Sequence, residues 1–356
     1  MSVHHEIASR LLAWFRGAQR DLPWRRTRDA YAIWVSEVML QQTRVDTVIP
    51  YYARFLEAFP SVEALAEAGE SDVLAQWSGL GYYRRARMLH QGAQMLAASC
   101  DGVIPADASA LQGVPGIGRY TAGAIASIAF GQATPLVDGN VARVIARLFA
   151  LRHDVGKGGG RERVWELARE LIDAPEATAD PGAFNQSLME LGALVCVPRE
   201  PRCEACPVRS ACRADGLGLA RELPLVVAKS APKAWARVAL VATGAAGVLL
   251  ARRASTALMG GLWEPPMIDA AGEPERAAVA IAKAVGARIS GPRRGPAVKH
   301  LLTHRRMNVE VVSADLATAR LRRTELPAEY DAVAVAADYA QLPMSTLAKK
   351  LLARVV

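Results

Sequence analysis

The 356-residue sequence has no apolar run long enough to cross a membrane as a helix. Its longest, Val238 to Ala251, is broken by Thr243, Gly244 and Gly247. The first residues carry Glu6, Arg10 and Arg16 among apolar neighbours, which does not suit the uninterrupted core of a secretory signal. Both features lead us to expect a cytoplasmic protein with no membrane partner. Cysteine is scarce, five in all, and in a reducing compartment five thiols argue for a metal or for catalysis over disulfides. Lysine is almost missing from residues 1–224, where Lys157 stands alone in the turn Gly156-Lys157-Gly158. Chemistry that proceeds through an imine has little to work with there. Low-complexity tracts and internal repeats are also absent.

What is present is enough for more than one core. A chain of this length with 51% hydrophobic residues predicts two folded domains. The net charge of +8 is uneven: residues 1–224 hold 24 Lys and Arg against 25 Asp and Glu, leaving 19 against 10 beyond them. A basic surplus suits a polyanionic partner, although many basic domains bind nothing specific. Residues 1–215 read as helices joined by short Gly/Pro turns, with no hairpin signal among them. Asp29 is placed to cap a helix through Ile33, Glu37 and Leu40, and further helices are expected at 45–58, 61–68, 71–77, 84–99, 121–130, 140–150, 161–173 and 182–195. Residues 216–233, with Gly216, Gly218, Pro224, Lys229, Pro232 and Lys233, have the composition of a linker. Residues 234–356 change pattern: strands at 236–242, 248–253, 307–312 and 332–336, and helices at 273–285 and 345–352, predict an α+β domain.

Four cysteines, Cys196, Cys203, Cys206 and Cys212, follow the spacing C-x6-C-x2-C-x5-C. Four thiolates so close in the chain converge on one centre with little loop-closure entropy, and ligation by thiolate alone suits zinc or an iron–sulfur cluster. Cys100 stands apart as an ordinary thiol. Val114-Pro115-Gly116-Ile117-Gly118 precedes a helical run, and its two glycines leave backbone N–H groups uncovered where an anion could bind. A plain interhelical turn has the same composition. Glu37 lies in a nearly continuous apolar helix, where burial would raise its pKa, unless it occupies one exposed stripe. Asp138, in Leu136-Val137-Asp138-Gly139-Asn140-Val141, suits both a helix N-cap and a reacting carboxylate. Two such groups are what cleavage of an N-glycosidic bond needs: an acid for the leaving base and an anion for the oxocarbenium-like sugar.

The cysteine spacing, directly after Leu191-Gly192-Ala193-Leu194-Val195, resembles the endonuclease III superfamily of DNA glycosylases. The glycine turn in that order resembles its helix–hairpin–helix. Trp34-Val35-Ser36-Glu37-Val38-Met39-Leu40-Gln41-Gln42-Thr43, Gly79-Leu80-Gly81-Tyr82-Tyr83 and Val137-Asp138-Gly139-Asn140-Val141 narrow the match to the MutY adenine DNA glycosylase family. This resemblance implies an all-α glycosylase domain at 1–215 with a [4Fe–4S] cluster held by the four cysteines of the 196–212 loop. Arg199, Arg202, Arg209 and Arg213 beside those ligands would either grip phosphate or simply be solvated. It further implies that Glu37 protonates adenine N7 and then assists water, that Asp138 stabilises the sugar cation, and that Asn140 and Tyr120 support them. Gln42 would enter the duplex, Tyr82 would wedge beside the opposite base, and Gly116 and Gly118 would hold a phosphate. Trp24, Arg25, Leu40, Thr43, Gln186 and Met189 match positions lining the adenine pocket. Position 120 carries lysine in the superfamily's glycosylase/lyases; Tyr120 cannot form an imine, which implies a monofunctional enzyme.

Residues 234–356 resemble the MutT-like C-terminal domain of the same family through Val248-Leu249-Leu250-Ala251-Arg252-Arg253 and Gly260-Gly261-Leu262-Trp263-Glu264-Pro265-Pro266. The helix after them offers only Glu273 and Glu275, too few acids for a Mg²⁺-dependent pyrophosphohydrolase, so the domain is expected to bind and not to hydrolyse. In the family a Phe-Ser-His loop reads 8-oxoguanine; here Leu302-Thr303-His304 keeps the hydroxyl and imidazole without the aromatic. The expected substrate is double-stranded DNA carrying A·8-oxoguanine or A·G mispairs, and the expected enzyme a nucleoid-associated bacterial monomer. Two rivals are a glycosylase/lyase for oxidised pyrimidines and an iron–sulfur DNA-binding protein without catalysis.

Overall fold

The helix bearing Glu37 is apolar on every side, and the helical half is built around it. In the computed structural model, which describes residues 2–225, 231–270, 272–317, 321 and 325–355, fifteen helices and eight strands are found among those residues. The helices are α1 (Val3–Ala18), α2 (Ala30–Leu40), α3 (Val45–Ala58), α4 (Val62–Glu67), α5 (Glu70–Gln76), α6 (Arg84–Cys100), α7 (Ala108–Gln112), α8 (Arg119–Ile128), α9 (Gly139–Leu148), α10 (Gly158–Ile172), α11 (Pro175–Ala179), α12 (Pro181–Leu194), α13 (Arg213–Gly216), α14 (Pro274–Ala284) and α15 (Thr346–Leu352). Asp29 caps α2 as expected, its carboxylate accepting from the N–H groups of Tyr31 and Ala32. Every residue of α2 from Tyr31 to Met39 is buried. A helix with no polar stripe can lie only at the centre of a bundle.

The chain divides into two compact units, one of residues 1–67 and 88–228, the other of residues 68–87 and 229–356. In the first unit α8 packs on α2 and on α12, and α9 packs on α12. Gly192 of α12 makes the last contact possible: a Cβ there would lie 2.6 Å from Cβ of Asn140. The Gly116 turn is held in the same way. Gly116 has φ +84°, and a Cβ on it would stand 2.8 Å from Cβ of Met88.

The second unit holds one sheet of strands β1 (Lys233–Gly244), β2 (Gly247–Arg253), β3 (Trp263–Glu264), β4 (Met267–Asp269), β5 (Ile289–Arg294), β6 (Val298–Leu301), β7 (Arg305–Leu316) and β8 (Tyr330–Ala336). Its order is β3-β2-β1-β7-β5, with β4 on β1, β6 on β7 and β8 on β2. Only β1 and β7 run parallel, Lys233 opposite Arg305 through to Thr243 opposite Asp315. Alternation along β1 fills both faces. Ala239 and Val241 join Leu347 and Leu351 of α15 in one core, while Val238, Leu240 and Ala242 join Ala278 and Ile281 of α14 in the other. The stretch 68–87, which the sequence pattern groups with the helical half, is tied to this unit: Ser78 Oγ and Tyr83 OH donate to the Met344 carbonyl at 2.8 and 2.9 Å, and Arg87 donates to the Gly260 carbonyl.

Of the expected linker, residues 226–230, Lys229 among them, lie outside the described residues. On either side it is shorter than its composition suggests, because residues 213–216 are helical, Leu225 bridges to Asp154, and Lys233 already belongs to β1. No helix among the described residues is long and apolar enough to cross a membrane.

Candidate active site

Four elements of the first unit, the 3-10 turn 23–25, α2, α8 and α12, close on one cavity of about 530 Å³ together with the segment that begins α9. Eleven residues singled out from the sequence line it: Trp24, Arg25, Glu37, Leu40, Gln42, Thr43, Tyr120, Asp138, Asn140, Gln186 and Met189. Glu37 does not sit on an exposed stripe; it is 4% exposed. Tyr120 OH donates to Glu37 Oε2 at 2.5 Å and lies 3.5 Å from Met189 Sδ. Burial pushes the Glu37 carboxyl up to about 7, and the nearby Asp138 charge adds to that, while the Tyr120 bond and the Arg25 charge pull the other way. Burial, with Glu37 and Asp138 beside it, raises Tyr120 well above the ordinary phenol value, so it stays a neutral donor.

Asp138 serves as the N-cap of α9, accepting from Val141 N at 2.7 Å and from Asn140 Nδ2 at 2.9 Å. Burial raises its pKa against these bonds and the Arg143 charge. Behind it, Arg143 Nη2 donates to Asn140 Oδ1 at 2.9 Å and to the Gly192 carbonyl at 2.8 Å, and Nε donates to the Cys196 carbonyl at 2.7 Å. Trp24 is both pocket wall and core: it is buried and meets Tyr52 edge to face at 5.5 Å.

Two further wall residues, Glu190 and Arg20, escaped the sequence reading. Glu190 of α12 is fully buried and accepts from Arg20 N, Nε and Nη2 at 2.7 to 2.9 Å and from Arg25 Nη1 and Nη2 at 3.1 and 2.9 Å. Burial works to raise its carboxyl, but these bonds outweigh that and draw it down to about 2. The signal was available. An acid inside Leu188-Met189-Glu190-Leu191 stands out for the same reason as Glu37.

Cys196, Cys203, Cys206 and Cys212 line a second, small cavity. Arg147, 2% exposed, binds the surrounding chain: it donates to the carbonyls of Leu223, Val197 and Pro198 at 2.7 to 2.8 Å and to Cys196 Sγ at 3.3 Å. Among the described residues no group of His, Cys, Asp or Glu is gathered tightly enough to hold a single metal ion. Of the arginines beside these cysteines, Arg209 is engaged by Asp215 at 2.8 Å and by Glu204.

The other expected residues are not among those lining the cavity. Gly118 is the N-cap of α8, after the Gly116 turn. In the second unit, Tyr82 OH and Thr303 Oγ1 share a hydrogen bond at 3.2 Å. His304 is exposed, and its carbonyl accepts from Lys233 N at 3.0 Å. Gln42 and Tyr82 have φ of +59° and +49°, left-handed values rare for such side chains.

A helical unit with a glycine hairpin, a cavity lined by Glu37, Asp138 and Glu190 and a following sheet unit define a helix–hairpin–helix protein with a Nudix-type domain. Residues 35–170 match the HhH-GPD superfamily of base excision DNA repair proteins, and residues 237–354 match the NUDIX domain. A thermostable thymine-DNA glycosylase of known structure is 30% identical with a TM-score of 0.55, over 60% of this chain and 97% of that one. The chain belongs to the HhH-GPD superfamily. Human adenine DNA glycosylase is 51% identical over 213 residues, 57% of this chain and 38% of that protein. The Arabidopsis thaliana adenine DNA glycosylase is 40% identical over 303 residues, 74% and 47% of the two. The chain spans about half the length of the curated relatives it matches.

Proposed function

We propose that the protein is a monofunctional adenine DNA glycosylase of base excision repair, hydrolysing the N-glycosidic bond of adenine opposite 8-oxoguanine or guanine and leaving an abasic site. The observation that carries this is the pairing of Glu37, at about 7 and bonded to a neutral phenol, with Asp138, the helix-capping carboxylate lining the same cavity. Near neutral pH Glu37 holds a proton about half the time, which suits a general acid for the N7 atom of a departing adenine. As the bond to C1′ breaks, the electron pair leaves with the base and positive charge grows on the sugar. Asp138, bonded by Val141 and Asn140 and backed by Arg143, is the anion placed to oppose it. Glu37, then ionised, takes a proton from the attacking water.

An adenine in a duplex must be flipped to reach such a cavity. Gln42 and Tyr82, each held in a strained backbone, are our candidates for the residues that fill and wedge the gap, and Gly116 and Gly118 for a phosphate grip. The bonded hydroxyls of Tyr82 and Thr303 offer the opposite base a ready donor and acceptor. With His304 they make the second unit our candidate reader of 8-oxoguanine. Its α14 begins after Glu273 and carries Glu275 as its one acid, so no pyrophosphohydrolase activity is proposed.

Four thiols lining one cavity, with Arg147 donating to one of them, fit a [4Fe–4S] cluster as the resident group. Cys196, Cys203, Cys206 and Cys212 would hold it, and its role would be to tie the loop that Arg143 and Arg147 brace. Among the described residues no lysine lines the active cavity, and Tyr120, which does, is a phenol that cannot form an imine.

The test is release of free adenine from an A·8-oxoguanine duplex, scored with and without alkaline strand cleavage. We expect release, strand breaks only after alkali, and no borohydride-trapped adduct. Glu37→Gln should lose release and keep DNA binding. Strand cleavage without alkali would point to a lyase, and DNA binding with no release by the unaltered protein would refute the proposal.

A further inference from the structure

A third cavity, of about 500 Å³, adjoins the active one: Val137, Asp138 and Gly139 line both. Its wall takes side chains from α9, the start of α10 and the stretch that ends at Pro224. Arg143, Arg161 and Arg221 face it, against the acids Asp138 and Glu222. Arg143 is already engaged by carbonyls and by Asn140. Arg161 and Arg221 differ. Both are exposed, and the side chain of neither has a hydrogen bond or ion pair among the described residues. Their neighbours show that partners are common in this region: Arg119 pairs with Glu162 and stacks on Trp165, Arg163 pairs with Glu166 and Glu170, and Arg169 reaches Asp173.

We propose that this groove binds the sugar–phosphate backbone of the adenine-bearing strand beside the flipped nucleotide, with Arg161 and Arg221 as its phosphate contacts. The inference rests on the glycosylase reading in one respect, that a sugar sits against Asp138. A nucleotide so placed carries a phosphate on each side, and the strand must leave across a surface next to Asp138. The groove is such a surface, and its two unpaired guanidinium groups offer forked donors to phosphate oxygens. A protein-side acid would have been the cheaper partner for either arginine, and among the described residues neither has one.

Contacts of this kind release counterions. For B-DNA each phosphate contact adds about 0.9 to the slope of log K against log salt. We therefore expect the double variant Arg161→Gln/Arg221→Gln to lower that slope by roughly 1.8 for a duplex carrying a non-hydrolysable 2′-fluoro-adenosine opposite 8-oxoguanine. Arg161→Lys/Arg221→Lys should keep most of it. Single-turnover adenine release, measured on the unaltered protein at saturating concentration, reads the glycosylase reaction separately.

Methylphosphonate linkages flanking the adenosine supply a second test. If the groove holds those phosphates, their neutralisation weakens the unaltered protein but adds little to the Gln double variant. An unchanged slope, or full additivity of the variant with the neutral linkages, overturns the proposal. The same measurements separate it from the activity: a lowered slope with no adenine release by the unaltered protein supports the groove and sinks the glycosylase reading, and the converse overturns the groove alone.

Discussion

Replacing Glu37 by Gln should destroy adenine release and, above neutral pH, make the fold more stable. A carboxyl moved from 4.5 to about 7 by burial binds its proton more tightly in the folded protein than in the unfolded chain. Between those values the folded state holds more protons, so stability falls as pH rises and levels off above about 7. The full loss is about 3 kcal/mol at 1.4 kcal/mol per pH unit. Gln keeps the shape and can still accept from Tyr120 OH, but it has no charge to bury. The variant should therefore match the native protein below about pH 4 and exceed it by about 3 kcal/mol at pH 8. Urea unfolding of both proteins across that range, followed by helix signal, gives the comparison directly. A stability difference that does not grow with pH would refute the account of Glu37 as a buried acid held near neutrality. So would a variant that still releases adenine.

Tyr120→Phe removes the bond that holds Glu37 down, so the alkaline limb of the pH–rate profile should move up by about one to two pH units, given 1.5–3 kcal/mol for a bond to a charged group. A limb that stays in place would show that the bond does not act on the carboxyl. Arg147→Met leaves the carbonyls of Leu223, Val197 and Pro198 without their donor. We expect a loss of at least about 3 kcal/mol in thermal unfolding, at 1–3 kcal/mol for each of three carbonyls left bare, and a loss of the visible absorbance expected of the proposed cluster. Tyr82→Phe and Thr303→Ala should each reduce the preference for adenine opposite 8-oxoguanine over guanine. Their combined effect should fall short of additive by about 0.5–1.5 kcal/mol; strict additivity would mean that the two hydroxyls act separately.

Where the sequence pattern was capped or β-prone, it located elements well: Asp29 before α2, Asp138 before α9, and the runs 236–242 and 248–253 within β1 and β2. It left open whether Glu37 was buried, because a helix apolar on all sides has no periodicity from which to read a face. The strands β3, β4, β6 and β5 have no counterpart among the expected ones, and Gly291 and Pro292 interrupt any strand pattern in β5. That strand exists because β7 offers an edge, and its register slips between Ser290 and Arg293 to accommodate those residues. Arg143 and Arg147 were invisible for a different reason. Most of their acceptors lie some fifty to seventy-six residues away in the chain, on backbone carbonyls that carry no sequence signal. The segment 68–87 was grouped by its helical composition with the first unit, yet its bonds run to Met344 and Gly260. Composition speaks to local conformation and is silent about which core a helix joins.

Glu37 and Glu190 look alike in the sequence, each an acid within an apolar helical run, and both line the active cavity. Their surroundings push them in opposite directions. Glu37 has one neutral donor, and burial carries it up to about 7. Glu190 has two guanidinium groups and a backbone N–H, and these overcome burial to leave it at about 2. The first can give and take a proton near neutral pH and the second cannot, so Glu190 serves as a fixed charge in the wall while the proton transfers fall to Glu37. Glu190 has a structural consequence for the first as well. By engaging both terminal nitrogens of Arg25 it fixes the cation whose charge offsets part of the upward push on Glu37. Glu190→Gln should therefore release Arg25, perturb the Glu37 titration seen in the pH–rate profile, and cost about 3–5 kcal/mol by leaving a buried charge without its partner. A Glu190→Gln variant with native stability and an unmoved profile would show that the clamp is incidental to the acid it adjoins.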